Sequence, residues 1–208
     1  MKREASSPDI RRPYRMQRRA EHVDETKRRI TEAAMKLHTS VGPSEASLSA
    51  IAEAAGVTRL TLYRHFGSAE TLFAACMGHW RSLHPPPDPA PWREVRGFDR
   101  RVRRAVGEMY AWYAANASDL YPIYRDAAFT PPSNQDARRA TLDRIVDALL
   151  FDDRRRGAAA ERRRAAILHA FAFWTWRSLT VDGGLSPRAA SELATRFVLS
   201  ADRLAPAG

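Results

Sequence analysis

Between Ser47 and Leu72 the chain reads SLSAIAEAAGVTRLTLYRHFGSAETL, and a dense polar group follows its glycine: Thr58, Arg59, Thr61, Tyr63, Arg64 and His65. Hydroxyls and amides near a helix start suit phosphate oxygens, and arginine can read the paired acceptors of a guanine edge, worth about 1–3 kcal/mol of discrimination. The chemistry suggested is recognition of duplex nucleic acid. Catalysis has no comparable support. The histidines, His22, His38, His65, His79, His84 and His169, form no spaced ligand set with cysteines or carboxylates, and no glycine-rich phosphate loop is present. The expectation is therefore a protein that is not an enzyme and uses neither metal nor cofactor.

The elements that position these residues follow from local signals. Ser47 offers an N-cap for a short helix through Ala55, Gly56 ends it, and Thr58 caps a second short helix through about Phe66. Two helices crossing steeply need a small residue at the crossing, a turn residue tolerating positive φ and an apolar residue that packs back. Ala52, Gly56 and Leu62 meet these needs, and Ile51 and Val57 complete a small core with the preceding helix. The geometry is a helix-turn-helix, whose second helix enters the major groove. With Leu62 and Phe66 turned inward, the polar group is left outside.

Upstream, Ile30, Ala33, Ala34, Leu37 and Val41 fall at helical spacing until Gly42-Pro43 stops the run, so a first helix is expected from Val23. Residues 1–22 have two prolines, many arginines and little periodicity, and read as a disordered basic arm. Downstream, Ser68 caps a fourth helix with Glu70 in its first turn and Leu72, Phe73, Cys76 and Trp80 along it, and PPPDPAP at 85–91 ends it. The remainder reads as helices. Val102, Val106, Met109, Tyr110 and Tyr113 make one stripe ending near Asn116, and Ser118 starts a short helix tolerating Pro122 in its first turn. Leu142, Ile145, Val146, Leu149 and Leu150 make another stripe. The segment AAILHAFAFWTW, Ala165 to Trp176, is apolar nearly all round and reads as part of one helix that Gly183-Gly184 ends. Ser186-Pro187 starts a last helix with Leu193, Phe197, Ala201 and Leu204. No strand of convincing alternation appears, so the fold class is all-α. Residues 23–67 read as a three-helix DNA-binding domain and 68–208 as a larger helical bundle, to which the resemblance given below assigns ligand binding and dimerisation.

Composition agrees without deciding the matter. The formal charge of +10 favours a polyanionic partner, but lysine occurs only at Lys2, Lys27 and Lys36, so a general arginine bias accounts for much of the excess. Cys76 is the only cysteine, which points to a packed thiol in a reducing compartment. No signal-peptide pattern and no long apolar span is present, so a cytoplasmic location without membrane partners is expected.

The stretch RRITEAAMKLHTSVGPSEASLSAIAEAAGVTRLTLYRHFGSAETLF, Arg28 to Phe73, resembles the N-terminal domain of the tetracycline-repressor (TetR) family of transcription regulators. The resemblance implies an all-α homodimer in which three helices bind a double-stranded DNA operator, further helices hold a small-molecule effector, and the last two helices pair across the dimer. It implies phosphate contacts from Ser47, Thr58 and Tyr63, with Arg59, Leu60, Thr61, Arg64 and His65 toward bases or nearby backbone. Two positions depart from the pattern. Ala69 replaces a common phosphate-binding lysine, which lowers the salt slope by about one unit. Leu60 replaces a usual glycine, alanine or proline, and either contacts a thymine methyl or crowds the groove. Arg15, Arg18, Arg19 or Arg28 could compensate for the missing lysine.

The mechanism the family suggests is a dimeric repressor released from a pseudo-palindromic operator by its ligand; the alternative is a ligand-independent architectural or partner-controlled DNA-binding protein of the same fold. The all-round apolarity of Ala165 to Trp176 suits a helix facing both its own core and a twin subunit. Trp80, Met109, Trp112, Tyr113, Tyr121, Tyr124, Phe129 and Trp174 are candidates for a ligand pocket, since aromatic walls with a few hydroxyls suit small molecules. Arg103, Arg125 and Arg177 are candidates for an anionic group.

Overall fold

Why the chain starts its first helix early is a matter of composition. The structure, a computed structural model, describes residues 11–201, with side chains from residue 21. Helix α1 spans Arg11–Ser40, so the arm expected to be disordered through residue 22 is helical from Arg11 on, while residues 1–10 lie outside the described residues. Arginine, methionine, glutamine, alanine and glutamate are good helix formers, and Pro13 sits in the first turn, where its missing N–H has no intrahelical acceptor to lose.

Three short elements follow: α2 (Leu48–Ala54), α3 (Arg59–Phe66) and α4 (Ala69–Leu83). Each starts on its expected cap, with Ser47, Thr58 and Ser68 accepting from the amides of Ala50, Thr61 and Thr71 at 3.1 Å. Ile30 and Ala34 of α1, Ile51 and Ala52 of α2, Leu62 and Phe66 of α3, and Leu72 and Phe73 of α4 are buried in a common core. His38 and Cys76 meet in it, Nδ1 to Sγ at 3.3 Å. Burial pushes the thiol up to about 12 and the imidazole down to about 4, so both are neutral.

A 3₁₀ turn, Ala90–Glu94, then leads to α5, Phe98–Arg125, the spine of the second half. Here the expected break near Asn116 is absent. Pro122 lies inside α5, one turn from its end, where only one ladder bond is forfeited, and its own carbonyl still accepts from the Asp126 amide at 3.1 Å. Packing on α1 and α9 carries the helix through, with Leu120 and Ile123 buried beside the proline.

The other elements surround α5: α6 (Pro132–Leu150), α7 (Gly157–Ala170), α8 (Phe173–Arg177) and α9 (Pro187–Ser200). The long apolar helix expected over Ala165–Trp176 is broken at Phe171-Ala172. The cause lies across the core, where Tyr110 donates to the Ala170 carbonyl at 3.0 Å and Tyr113 to that of Phe171 at 2.8 Å. These buried hydroxyls satisfy carbonyls that the ladder would otherwise have to serve. Among the described residues there is no strand, and no helix is long and apolar enough to cross a membrane.

Hydrogen bonds tie α4 and the loop after α1 to α5. Trp80 Nε1 on α4 donates to Asp119 on α5 at 2.9 Å. At the end of α5, Asp126 accepts from the Ser44 amide at 3.1 Å and the Ser44 hydroxyl at 2.6 Å, while Arg125 donates to the Val41 carbonyl at 2.7 Å. The α1–α2 loop is thus held by the second half of the chain.

Candidate nucleic-acid interface and cavity

The turn between α2 and α3 is closed by a Schellman motif. Val57 N–H donates to the Ala52 carbonyl and Gly56 N–H to that of Glu53, each at 2.9 Å, with Gly56 at φ +64°. A side chain at Gly56 would meet little, its nearest neighbour being Arg29 at 3.9 Å, so backbone conformation rather than space requires glycine there.

This turn sets the rotation of α3. Leu62 and Phe66 face the core, whereas Thr58, Arg59, Leu60, Tyr63 and Arg64 stand toward solvent and Thr61 and His65 are half-buried. The expected outward group is therefore assembled on one short helix. Leu60 is 70% exposed, the highest among the large hydrophobic side chains of the described residues. Ser47 spends one lone pair on capping, which leaves its hydroxyl proton available to a phosphate, whereas the Thr58 hydroxyl also meets that of Thr61 at 3.0 Å. Ala69 stands at the exposed start of α4, with no cation at that position.

Arg28, a candidate to compensate for the missing lysine, stands exposed on α1. Its guanidinium pairs with Glu25 at 2.7 Å and Glu32 at 2.6 Å along α1, and these partners raise its already high pKa further. Residues three and four apart share a helix face, so this self-pairing follows from spacing. The side chains of Arg15, Arg18 and Arg19 lie outside those described.

In the second half, a cavity of about 170 Å³ opens between α4, α5, α6 and the α7–α8 break. Trp80, Met109, Trp112, Tyr113, Tyr124 and Trp174 line it, as do residues that sequence patterning offered no reason to choose, among them Met77, Arg81, Asn134 and Arg138. Tyr121 and Phe129 do not line it. Tyr121 packs edge-on against Trp174 at 6.1 Å and beneath Arg177, and Phe129 sits 68% exposed on a 3₁₀ turn. The arginines first considered for an anion are also elsewhere: Arg103 lies near Glu192, Arg125 grips Asp126, and Arg177 lies near Asp182.

Most polar groups on the cavity wall are already engaged. Trp112 Nε1 donates to the His84 carbonyl at 3.3 Å and Thr141 to that of Ala137 at 3.0 Å. Burial, aided by the neighbouring Tyr124, pushes Tyr113 well above the usual phenol range, so this wall carries no phenolate at that position. Among the described residues no cluster of histidine, cysteine or carboxylates could hold a metal.

These features define an all-α protein with an N-terminal helix-turn-helix domain and a cavity-bearing helical bundle. Residues 30–76 match the family model of bacterial regulatory proteins of the tetR family. Over those residues the chain is similar to the DNA-binding domain of TetR-family transcriptional regulators. Solved structures share its fold over most of their length. A TetR-like transcriptional regulator from Rhodococcus sp. RHA1 is 20% identical, with 84% of this chain and 94% of that one covered and a TM-score of 0.58. The TetR-family transcriptional regulator PfmR from Thermus thermophilus is 22% identical, with 84% and 97% covered and a TM-score of 0.55. A TetR-family transcriptional regulator from Bordetella parapertussis 12822 is 22% identical, with 83% and 93% covered and a TM-score of 0.54. No curated protein sequence matches the chain.

Proposed function

We propose that the chain acts in the cytoplasm as a homodimeric repressor that a small molecule releases from a pseudo-palindromic operator. The observation that carries this reading is the outward face of α3, where Arg59, Leu60, Tyr63 and Arg64 stand exposed on a helix whose rotation is fixed by Leu62, Phe66 and the Gly56 turn. In this reading residues 23–67 carry the DNA contact, with Ser47, Thr58 and Tyr63 on phosphates and Arg59, Thr61, Arg64 and His65 toward bases. Residues 68–208 carry the effector and the twin subunit.

Dimerisation draws support from α9. Its inward face is Ala190, Ala194 and Val198, yet it also exposes Leu193 by 48% and Phe197 by 47%, beside His169 of α7. A second apolar face on a helix already packed on α5 and α7 is what an isologous partner would cover. Two such subunits would place their recognition helices in successive major grooves about 34–36 Å apart. The cavity touches α4, the helix that joins both halves, so a ligand there would bias the position of α3; coupling of about 1–3 kcal/mol is typical for such linkage.

The test is selection of bound DNA from a random library by the purified protein at near-physiological salt. A two-fold symmetric motif is the expected result. Recovery of no motif, with binding that falls steeply with salt, would remove the operator reading and favour architectural binding.

A further inference from the structure

The wall of the cavity is selective in what it leaves unpaired. Asn134 is only 7% exposed, and its side-chain NH₂ is buried without a hydrogen-bond partner among the described residues. A buried polar group left unmet costs stability, and a native structure retains one where something else meets it. Arg138 lies one turn further along α6 on the same face, and its guanidinium rests 3.7 Å over the Tyr124 ring, with no carboxylate partner among the described residues. Arg81 approaches from α4, also without an ion pair among those residues. The charged groups still open on this wall are therefore both cationic, Arg81 and Arg138, and Asn134 adds a neutral amide.

Among the described residues no aspartate or glutamate lines the cavity. The groove outside it shares Arg81, adds Arg144, and holds one carboxylate, Asp88, which already accepts from the Ala90 amide at 3.1 Å. A cationic ligand would meet two like charges and no counter-charge. A neutral hydrocarbon would leave Asn134 unmet. The rest of the wall is largely apolar and aromatic, with Met77, Met109, Trp112, Leu142 and Phe173 around a space of about 170 Å³. That is close to the ~150 Å³ at which an apolar cavity accepts benzene.

Resting on the reading that this bundle senses a small molecule, we propose that its effector is a small aromatic carboxylic acid. The ring lies among the aromatic and methionine side chains, and the carboxylate accepts from the Arg138 guanidinium and, once the Asn134 side chain turns toward it, from Asn134 Nδ2. A planar fork facing a planar carboxylate gives directional, charge-assisted bonds, and Arg81 adds positive potential at the mouth.

The experiment titrates the full-length protein with benzoate, benzamide and benzylamine, following the tryptophan fluorescence of Trp80, Trp112 and Trp174, which border the cavity. Benzoate should bind saturably and at least about ten-fold more tightly than the other two. Arg138→Gln should abolish that preference, and Arg138→Lys should restore part of it. Asn134→Leu should weaken benzoate by about 10–100-fold while leaving the melting temperature unchanged or raised, because it removes an unmet buried donor. Equal or tighter binding of the amide or the amine overturns the assignment, as does a benzoate preference that survives Arg138→Gln. Absence of saturation by about 10 mM, the weakest affinity expected for nine heavy atoms at low ligand efficiency, also overturns it. Binding to selected operator DNA is measured in parallel. Acid-selective binding with no effect on DNA supports the ligand chemistry assigned to the cavity and removes the release mechanism, and with it the ligand's role as effector.

Discussion

Gly42→Ala should be among the most damaging single-atom additions in this chain. Gly42 sits at φ +101°, and a Cβ placed there would run into Asp126 Oδ2, with the Asp126 Cγ at 3.2 Å. Two costs follow. A left-handed conformation costs an L-residue about 1–2 kcal/mol. The carboxylate must also move from Ser44, whose amide and hydroxyl it accepts from at 3.1 and 2.6 Å. A hydrogen bond to an ionised group is worth about 1.5–3 kcal/mol, so losing one of the two brings the total to about 3–5 kcal/mol. For a chain of this size that lowers the melting temperature by roughly 10 °C, readable by calorimetry. Asp126→Ala separates the terms. If the collision with the carboxylate is real, the cost of Gly42→Ala should fall in the Asp126→Ala background toward the backbone term of about 1–2 kcal/mol, with Arg125 Nη2, 2.5 Å from the same Cβ, as the remaining contact. Additivity within about 0.5 kcal/mol would refute the collision.

Gly56→Ala should cost only about 1–2 kcal/mol in urea unfolding, since nothing blocks its Cβ, and Gly56→Asn should recover part of that. Thr58→Ala removes a cap as well as a proposed phosphate contact, at about 1 kcal/mol of stability, so Thr58→Ser with Tyr63→Phe is the cleaner DNA probe. That double variant should weaken binding at all sequences mainly through the lost Tyr63 hydroxyl, whereas Arg59→Ala should relax the selected motif; an unchanged motif would make Arg59 a phosphate contact. His38 is depressed to about 4 by burial, so between about pH 6.5 and 4 the unfolded chain takes up a proton that the folded one refuses. Stability should therefore fall as pH drops through that window, by on the order of 3 kcal/mol in full, and His38→Gln should flatten the urea midpoints between pH 7 and 4.5. Asp126 titrates in the opposite region. The Arg125 guanidinium and the Ser44 donors hold it well below the usual carboxylate range, so its contribution is intact above about pH 4 and is lost only in stronger acid.

What could be read from the chain is what local chemistry fixes. Ser47, Thr58 and Ser68 cap helices because an oxygen one residue before a helix serves an amide three residues on, and Gly56 and Leu62 then dictate the turn. The outward group on α3 needs no long-range information. The break at Phe171-Ala172 does, since the donors that permit it, Tyr110 and Tyr113, lie about sixty residues earlier. Pro122 misled for a similar reason: a proline ends an isolated helix, but α5 is held on both sides by tertiary packing. Asn134 and Arg138 look like a solvated face of α6 when taken alone. Only the placement of α4 and α5 against that face turns them into the polar end of an aromatic cavity.

The same placement joins the cavity to the DNA-facing half by two short covalent routes. On α4, Met77, Trp80 and Arg81 line the cavity, and Ser68, the cap of that helix, follows α3 after a single residue, Gly67. On α5, Ile123 and Tyr124 line it, and the next two residues hold Val41 and Ser44 of the loop that leads into α2. In the proposed mechanism, a ligand that shifts α4 against α5 would strain the Trp80–Asp119 hydrogen bond, which ties those two helices together, or the Ser44–Asp126 pair, which ties α5 to the loop before α2. Charge-assisted bonds of this kind, worth about 1.5–3 kcal/mol each, match the coupling of about 1–3 kcal/mol that links typical effector and DNA sites. In the proposed mechanism, loss of one such bond is of the size that effector coupling requires.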